Sequence, residues 1–395
     1  MTQPILWNRD FIAACLSSFF LFMTFYTLAV TMPVYVLDEL HSSQDMVGLV
    51  MAVFIMSTVV MRPLTGKWID ERDRKKILFV SLFLFLMASI LYPVAKGIVF
   101  LLILRFIHGI GFGMGTTSLG AVVISFIPEN RKGEGVGYFS LFMGLAMVIG
   151  PFVGLMVIQH YSFTVLFSLC IVFSLLSFVC GYLTRIPERD VEKTSEKENR
   201  TGWKSFIEPR AIPVALAGSL LAFSYGGITT FISVYAIELN INHMSGYFFM
   251  VFAAMIVLSR PFTGKMFDRM GENVLIYPGL FLFVVGMIGL SFASSPVLFL
   301  TAGAVIGLGY GALLPSYQTI AIKVSPNNRQ GLATSTFFLF FDSGYGIGSY
   351  LLGIIASRTS YATMYLVSAF IAGFAALLYY LLHHRKLAAV QPKGL

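Results

Sequence analysis

"RPLTGKWID" occupies residues 62–70, and "RPFTGKMFD" occupies residues 260–268. Six of the nine positions agree, and the copies lie 198 residues apart in a chain of 395. The same offset extends well beyond the phrase. Gly109, Gly111 and Gly113 fall on Gly307, Gly309 and Gly311. Pro128, Asn130, Arg131 and Gly133 fall on Pro326, Asn328, Arg329 and Gly331, and Gly150 falls on Gly348. One offset held across several segments means an internal duplication, and two parallel copies of a six-segment unit are a known plan for membrane proteins.

Composition says what the duplicated unit is made of. The chain is 57% hydrophobic and 12% charged, about half the charge of a soluble domain. Apolar runs of about 20 residues are long enough to span a bilayer as helices. Twelve such runs are expected at roughly residues 11–34, 46–68, 77–95, 98–125, 135–158, 163–185, 211–237, 244–266, 274–293, 296–322, 331–355 and 361–382. In lipid the backbone must satisfy its own hydrogen bonds, so these runs are helices; they are too long and continuous for barrel strands. The fold class is therefore all-α membrane protein, with twelve transmembrane helices in two six-helix halves.

The net charge of +8 does not mark a nucleic-acid binder, because the basic residues sit in the breaks between apolar runs. They also orient the chain. Arg72, Arg74, Lys75 and Lys76, then Arg131 and Lys132, then seven basic residues from Arg185 to Arg210 share one side, whereas the alternate loops hold only Lys96 and Arg358. The positive-inside rule puts both termini in the cytoplasm, in a multi-pass protein of the cell membrane. Residues 1–186 form the expected N-terminal half, 187–210 a charged cytoplasmic linker, and 211–395 the C-terminal half. Within the linker, Trp203, Phe206 and Ile207 beside Lys204 suit an interfacial stretch. The sequon at Asn199 falls in this cytoplasmic segment and is expected to be silent. The opening residues read as the approach to the first span rather than a cleaved leader. Cys15, Cys170 and Cys180 lie in apolar stretches without disulfide or zinc spacing.

These features resemble the major facilitator superfamily over essentially the whole chain. The loop after the second span is similar to that family's G-x-x-x-D-x-x-x-R-[RK] signature, as Gly66, Asp70, Arg74 and Lys75. The later copy supplies Gly264, Asp268, Arg269 and Gly271. The first copy departs with Trp68, Glu71 and Asp73, where Leu, a basic residue and Gly are usual. Arg105 and Gly109 resemble an R-x-x-x-G element. Gly150, Pro151 and Gly154 resemble the G-P-x-x-G motif of drug–proton antiporters and other twelve-helix exporters, and Asp342, Gly344 and Gly348 a pattern of exporter-like members.

The resemblance implies a secondary transporter with a midplane site between the halves. It also implies that the loop carboxylate Asp70 helps hold an inner gate shut, near the start of the eleventh span at Gly331. Basic residues that merely fix topology would explain the same loops. Small residues at four-residue spacing, as at Gly150 and Gly154, let helices approach closely, and Pro151 removes a helix donor and is expected to bend its span.

Three ionisable residues stand out inside spans: Arg105, His108 and Asp342. A charge at a helix centre costs about 2.5–3.5 kcal/mol on insertion scales, so such residues face partners or water-filled cavities. They are the candidates for proton coupling or substrate binding; a static structural pairing is the bland reading of each. Tyr26, Tyr225, Phe223, Phe231 and Tyr310 are candidate walls of a substrate cavity, although most aromatics in so apolar a chain serve core or lipid contact.

No phosphate loop for direct ATP drive and no metal-ligand or nucleophile constellation occurs in the sequence, so neither an enzyme nor a bound cofactor or metal is expected. The expected partners are a small-molecule substrate and the bilayer, the chain acting as a monomer. The expected activity is proton-driven efflux of a small amphipathic molecule by alternating access. A proton symporter for uptake and a lipid flippase on the same fold are the alternatives.

Overall fold

The computed structural model describes residues 6–71, 73–128, 132–186, 207–326 and 329–385. Twelve long helices follow one another, and the described residues hold no strand. They are α1 (Arg9–Val34), α2 (Gln44–Glu71), α3 (Arg74–Leu91), α4 (Ile98–Phe126), α5 (Lys132–His160) and α6 (Phe163–Leu183), then α7 (Ile212–Glu238), α8 (Met244–Met270), α9 (Asn273–Ser291), α10 (Pro296–Lys323), α11 (Gln330–Arg358) and α12 (Tyr361–Tyr379). Eleven are long and apolar enough to cross a membrane; in α8 the described apolar stretch is the shorter Met244–Ser259.

Local chemistry sets where the helices begin. Asn8 Oδ1 accepts from the Phe11 amide at 2.8 Å and starts α1. Asp73 Oδ1 accepts from the amides of Lys75 and Lys76 at 2.9 and 3.3 Å and starts α3. Ser295 and Ser360 cap α10 and α12 in the same way. Each cap satisfies an amide that has no partner within the first helical turn. Asp73, a departure from the family signature, is thus the residue that starts the third helix. Gly271 ends α8 with φ of +84°, a conformation that a side chain would strain.

The chain divides into two compact units, Met1–Leu40 with Val53–Arg200, and His41–Ala52 with Thr201–Leu395. The first turns of α2 thus group with the second unit, where Gly48 allows its main chain to meet that of Ser349 and Tyr350 on α11.

The two units repeat one packing plan. In the first, α1 packs on α5 and α6, and α3 packs on α4 and α6. In the second, α7 packs on α11 and α12, and α9 packs on α10 and α12. The duplicated glycines explain the match. A methyl on Gly109 would overlap the Phe54 carbonyl, and a methyl on Gly307 would overlap the Phe252 carbonyl, the residue 198 positions later. Close helix approach at these points is possible only without a side chain.

The second unit also holds the last linker residues. Glu208 is buried; its Oε2 pairs with Arg329 Nη1 at 2.9 Å, and its amide donates to Thr336 Oγ1 on α11 at 2.8 Å. At its described end the expected linker 187–210 therefore holds the packed Glu208, followed by the exposed Pro209 and Arg210. Asn199, Trp203, Lys204 and Phe206 lie outside the described residues.

Candidate functional site

In the first unit the chemistry gathers around Arg105 on α4, which is fully buried. Its guanidinium carbon lies 4.3 Å from the centre of the Phe54 ring, close enough for a cation–π attraction. Nη1 donates to the Tyr92 hydroxyl at 3.3 Å. That hydroxyl is 2.9 Å from His108 Nδ1, and His108 Nε2 is 3.2 Å from Ser89 Oγ. Ser89 Oγ lies 2.8 Å from Ser174 Oγ, which lies 3.3 Å from Thr24 Oγ1.

One proton arrangement satisfies the inner part of this chain. Arg105 donates to the Tyr92 oxygen, and Tyr92 donates to Nδ1. His108 donates from Nε2 to Ser89, and Ser89 donates to the Phe85 carbonyl at 2.9 Å. The histidine is then neutral, with both ring nitrogens bonded; this tautomer is assigned from the network. A connected, satisfied polar network rigidifies the helices that supply it. Here it joins α4, the short 3₁₀ turn Tyr92–Val94, α3, α6 and α1.

Aromatic rings enclose the network. Phe85 lies 4.1 Å from the His108 ring centre, and Phe112 stacks on Phe25 at 4.7 Å and meets Phe54 at 5.4 Å. Tyr26 continues the wall through Phe25, at 4.9 Å. Gly150 places its α5 backbone against Tyr26 and Thr27, and its carbonyl accepts the Thr27 hydroxyl at 3.1 Å; Gly154 meets Thr27 and Thr31 one turn on. Gly150 and Gly154 therefore belong to the α5 side of the α1–α5 contact, and Pro151, next to Gly150, is buried.

In the second unit the same framework carries different groups. Phe252, Phe283 and Tyr310 stand where the first unit has Phe54, Phe85 and Phe112. Tyr310 stacks on Tyr225 at 4.4 Å, and Phe252 meets Tyr310 at 5.7 Å. Tyr345 of α11 joins at 5.9 Å from Tyr225 and accepts the Thr229 hydroxyl at 2.7 Å. The result is a buried face of three tyrosines and a phenylalanine from α7, α8, α10 and α11, each no more than 5% exposed.

Asp342 lies three residues before Tyr345, half-buried near the middle of the 29-residue α11. Two positions on, Gly344 brings the α11 backbone against that of Ser219 on α7. Phe223 and Phe231 stand apart from the tyrosine face. Phe223 lines an apolar groove of about 490 Å³ with Leu220 of α7 and Phe370 and Phe374 of α12. Phe231 is buried 6.0 Å from the Tyr361 ring.

Of the loop residues, Gly66 has open space around it, Arg74 is the half-exposed first residue of α3, and Arg269 is exposed in the last turn of α8. Gly264 lies in α8 and Gly331 in α11, and the side chains of Asp70 and Asp268 lie outside the described residues. Among the described residues no group of three His, Cys, Asp or Glu side chains could hold a metal ion.

Sequence reasoning did not find Tyr92, Ser89, Ser174, Thr24 or Tyr345. Serine and threonine inside apolar runs look like tolerated small residues, and Tyr92 looks like an interfacial aromatic. The offset test would have found part of the site, since it matches Phe54, Phe85 and Phe112 to Phe252, Phe283 and Tyr310.

A family model described as Major Facilitator Superfamily matches residues 14–296 and 275–394. Multidrug resistance protein MdtG of Escherichia coli (strain SMS-3-5 / SECEC) is 26% identical over 385 residues, which cover 94% of each chain. Multidrug resistance protein 1 of Bacillus subtilis (strain 168) is 26% identical over 346 residues, 85% of this chain and 87% of that protein. The crystal structure of the nucleoside transporter NupG superposes with a TM-score of 0.79 over 95% of this chain and all of that one, at 12% identity. That last likeness is one of fold alone.

Proposed function

The chain belongs to the Major Facilitator Superfamily and is a multi-pass membrane transporter, not an enzyme, and we propose that it exports small amphipathic molecules from the cell in exchange for protons. The observation that carries this reading is the likeness over 94% of the chain to proteins named for multidrug resistance. The tyrosine face of the second unit supports it. Flat aromatic walls hold varied apolar molecules, and the tyrosine hydroxyls add polar contacts without fixing one substrate.

In this reading the chain works as a monomer in the cell membrane with both termini in the cytoplasm. The stacked Tyr225 and Tyr310, with Phe252 and Tyr345, receive the apolar part of the substrate. Asp342 carries the coupling proton; a carboxylate at mid-span is costly enough to need a function. Arg105 and His108 act from within their network, holding the α1, α3, α4 and α6 contacts as one body while access alternates. The Gly–Pro–x–x–Gly contact keeps α5 close to α1 during that change. The loops at Asp70 and Asp268 secure the closed inner face. The proton gradient is the energy source, and no cofactor is needed.

Everted vesicles carrying the protein test this directly. Their interior is acidified, and candidate cationic and neutral amphipaths are added from outside. Compound-triggered proton release is the expected result. Proton movement in the same direction as the compound would establish uptake symport instead. Lipid translocation without a pH response would favour a flippase.

A further inference from the structure

Along the first unit, α1 and α6 leave a groove of about 510 Å³ lined by Arg9, Ile12, Ala13, Leu16, Cys180 and Leu183. The lining is apolar along its length and charged at one end only. Arg9 is exposed and makes no hydrogen bond or ion pair with a described side chain. Trp7, two residues earlier and 44% exposed, marks the level of a membrane interface, where tryptophans collect. From Arg9 to Leu16 the groove follows α1 for about 10 Å at 1.5 Å per residue.

We infer that this groove binds an anionic phospholipid, with its phosphate on Arg9 and an acyl chain along Ile12, Leu16 and Leu183. The charge at the mouth decides between lipids. Arg9 and the exposed Arg185 bring two positive charges, and Asp10 brings one negative charge. The Asp10 carboxylate is turned toward α6, where Oδ1 accepts the Arg185 amide at 2.8 Å. Among the described residues the mouth therefore carries a net positive charge. The start of α1 adds the favourable end of the helix dipole, with the amides of Arg9 and Asp10 ahead of the capped Phe11 amide. A zwitterionic lipid would gain little from this arrangement.

The second unit provides a contrast. Its α7–α12 groove, at Leu220, Phe223, Val367, Phe370, Ile371 and Phe374, has similar volume and no charged residue. Any chain of the bilayer can fill it, and nothing in it selects a headgroup. The leaflet that supplies the lipid at Arg9 rests on the cytoplasmic placement of the chain termini proposed above; the binding itself does not.

Native mass spectrometry of the protein released from nanodiscs of equal phosphatidylglycerol and phosphatidylcholine content tests the inference. Wild type should retain phosphatidylglycerol over phosphatidylcholine by about fivefold, as one arginine at a membrane surface allows. Arg9→Gln should abolish the preference, and Arg9→Lys should keep most of it. Equal retention of both lipids by wild type, or an unchanged preference in Arg9→Gln, would overturn the site. Displacement of the lipid by glycerol 1-phosphate at low millimolar concentration would also overturn it, by showing a phosphate site that needs no acyl chain. Proton-release assays on Arg9→Gln vesicles separate this from the transport reading: lost lipid preference with intact transport is expected. Intact lipid preference with no compound-triggered proton release in any variant would sink the export reading and leave the lipid site standing.

Discussion

The two six-helix units share a frame and differ in what it carries. Phe54, Phe85 and Phe112 in the first correspond to Phe252, Phe283 and Tyr310 in the second, and Gly109 and Gly307 meet the same carbonyl in each. On that frame the first unit builds a closed polar chain from Arg105 to Thr24, in which each described group has a partner. The second places Gly303 where Arg105 stands and Ile306 where His108 stands, and adds Tyr225, Tyr345 and Asp342. The duplication accounts for architecture. The residues that break it are of two kinds: a satisfied polar network in one unit, and a tyrosine cluster with a mid-span carboxylate in the other.

The largest expected effect falls on the residue with no counterpart. Asp342→Asn removes the only carboxylate near the middle of a described span, since its equivalent position is Gly144. Proton-driven transport in everted vesicles should fall to background while the amount of folded protein is unchanged. Full coupled transport by this variant would move the proton to another group and erase the assigned difference between the units.

Arg105→Ala comes next and should show in stability more than in selectivity. It deletes a buried cation, leaves the Phe54 face without its partner and removes the donor to Tyr92. Loss of a large buried side chain with its bonds costs on the order of 3 kcal/mol. The expected result is a thermal unfolding midpoint several degrees lower in detergent, with the substrate profile retained. An unchanged midpoint together with a changed substrate range would mean that Arg105 contacts substrate and that the network is not a brace.

Gly109→Ala and Gly307→Ala test the shared frame. Each methyl meets a main-chain carbonyl that cannot rotate away. Overpacking of this kind costs about 1–3 kcal/mol, and the rigid obstacle argues for the upper end. The two losses should agree within about 0.5 kcal/mol, the usual margin for comparable independent sites. A large effect in one unit and none in the other would show that the frames are alike in sequence but not in packing.

Much of this frame was legible because its signals are local or periodic. Span edges read from apolar runs fall close to the helix ends; the fourth span, read as 98–125, is Ile98–Phe126. The offset read from Arg62 and Arg260 carried over to the glycine contacts, because a glycine required for close approach is required in both copies. The site was legible only in part. Arg105, His108 and Asp342 are conspicuous as ionisable residues in apolar runs. The partners of Arg105 and His108, namely Tyr92 and Ser89 with Ser174 beyond them, are ordinary residues made significant by helices meeting, which no linear pattern records. The aromatic readings show the same limit. Tyr225 and Tyr310 stack on each other, whereas Phe231, only six residues after Tyr225, is buried against Tyr361.

The smallest expected effect comes from a pair that occupies equivalent positions and has diverged in depth. Asp10 and Glu208 are 198 residues apart, each just before or at the start of the first helix of its unit. Asp10 accepts a backbone amide, that of Arg185, at an exposed site. An asparagine oxygen accepts that bond equally well, so Asp10→Asn should cost less than about 0.5 kcal/mol, as surface changes usually do. Glu208 is 1% exposed and pairs with a guanidinium, so its charge is what holds the bond. Hydrogen bonds to charged groups contribute about 1.5–3 kcal/mol, and Glu208→Gln should lose the lower part of that range, because Arg329 is 27% exposed and water can replace some of the lost partner. Unfolding of both variants in the same detergent, at low and high salt, reads the difference. A salt-insensitive, near-zero effect for Glu208→Gln would mean that burial adds nothing to this pair, and the two acids would then be equivalent in energy as well as in position.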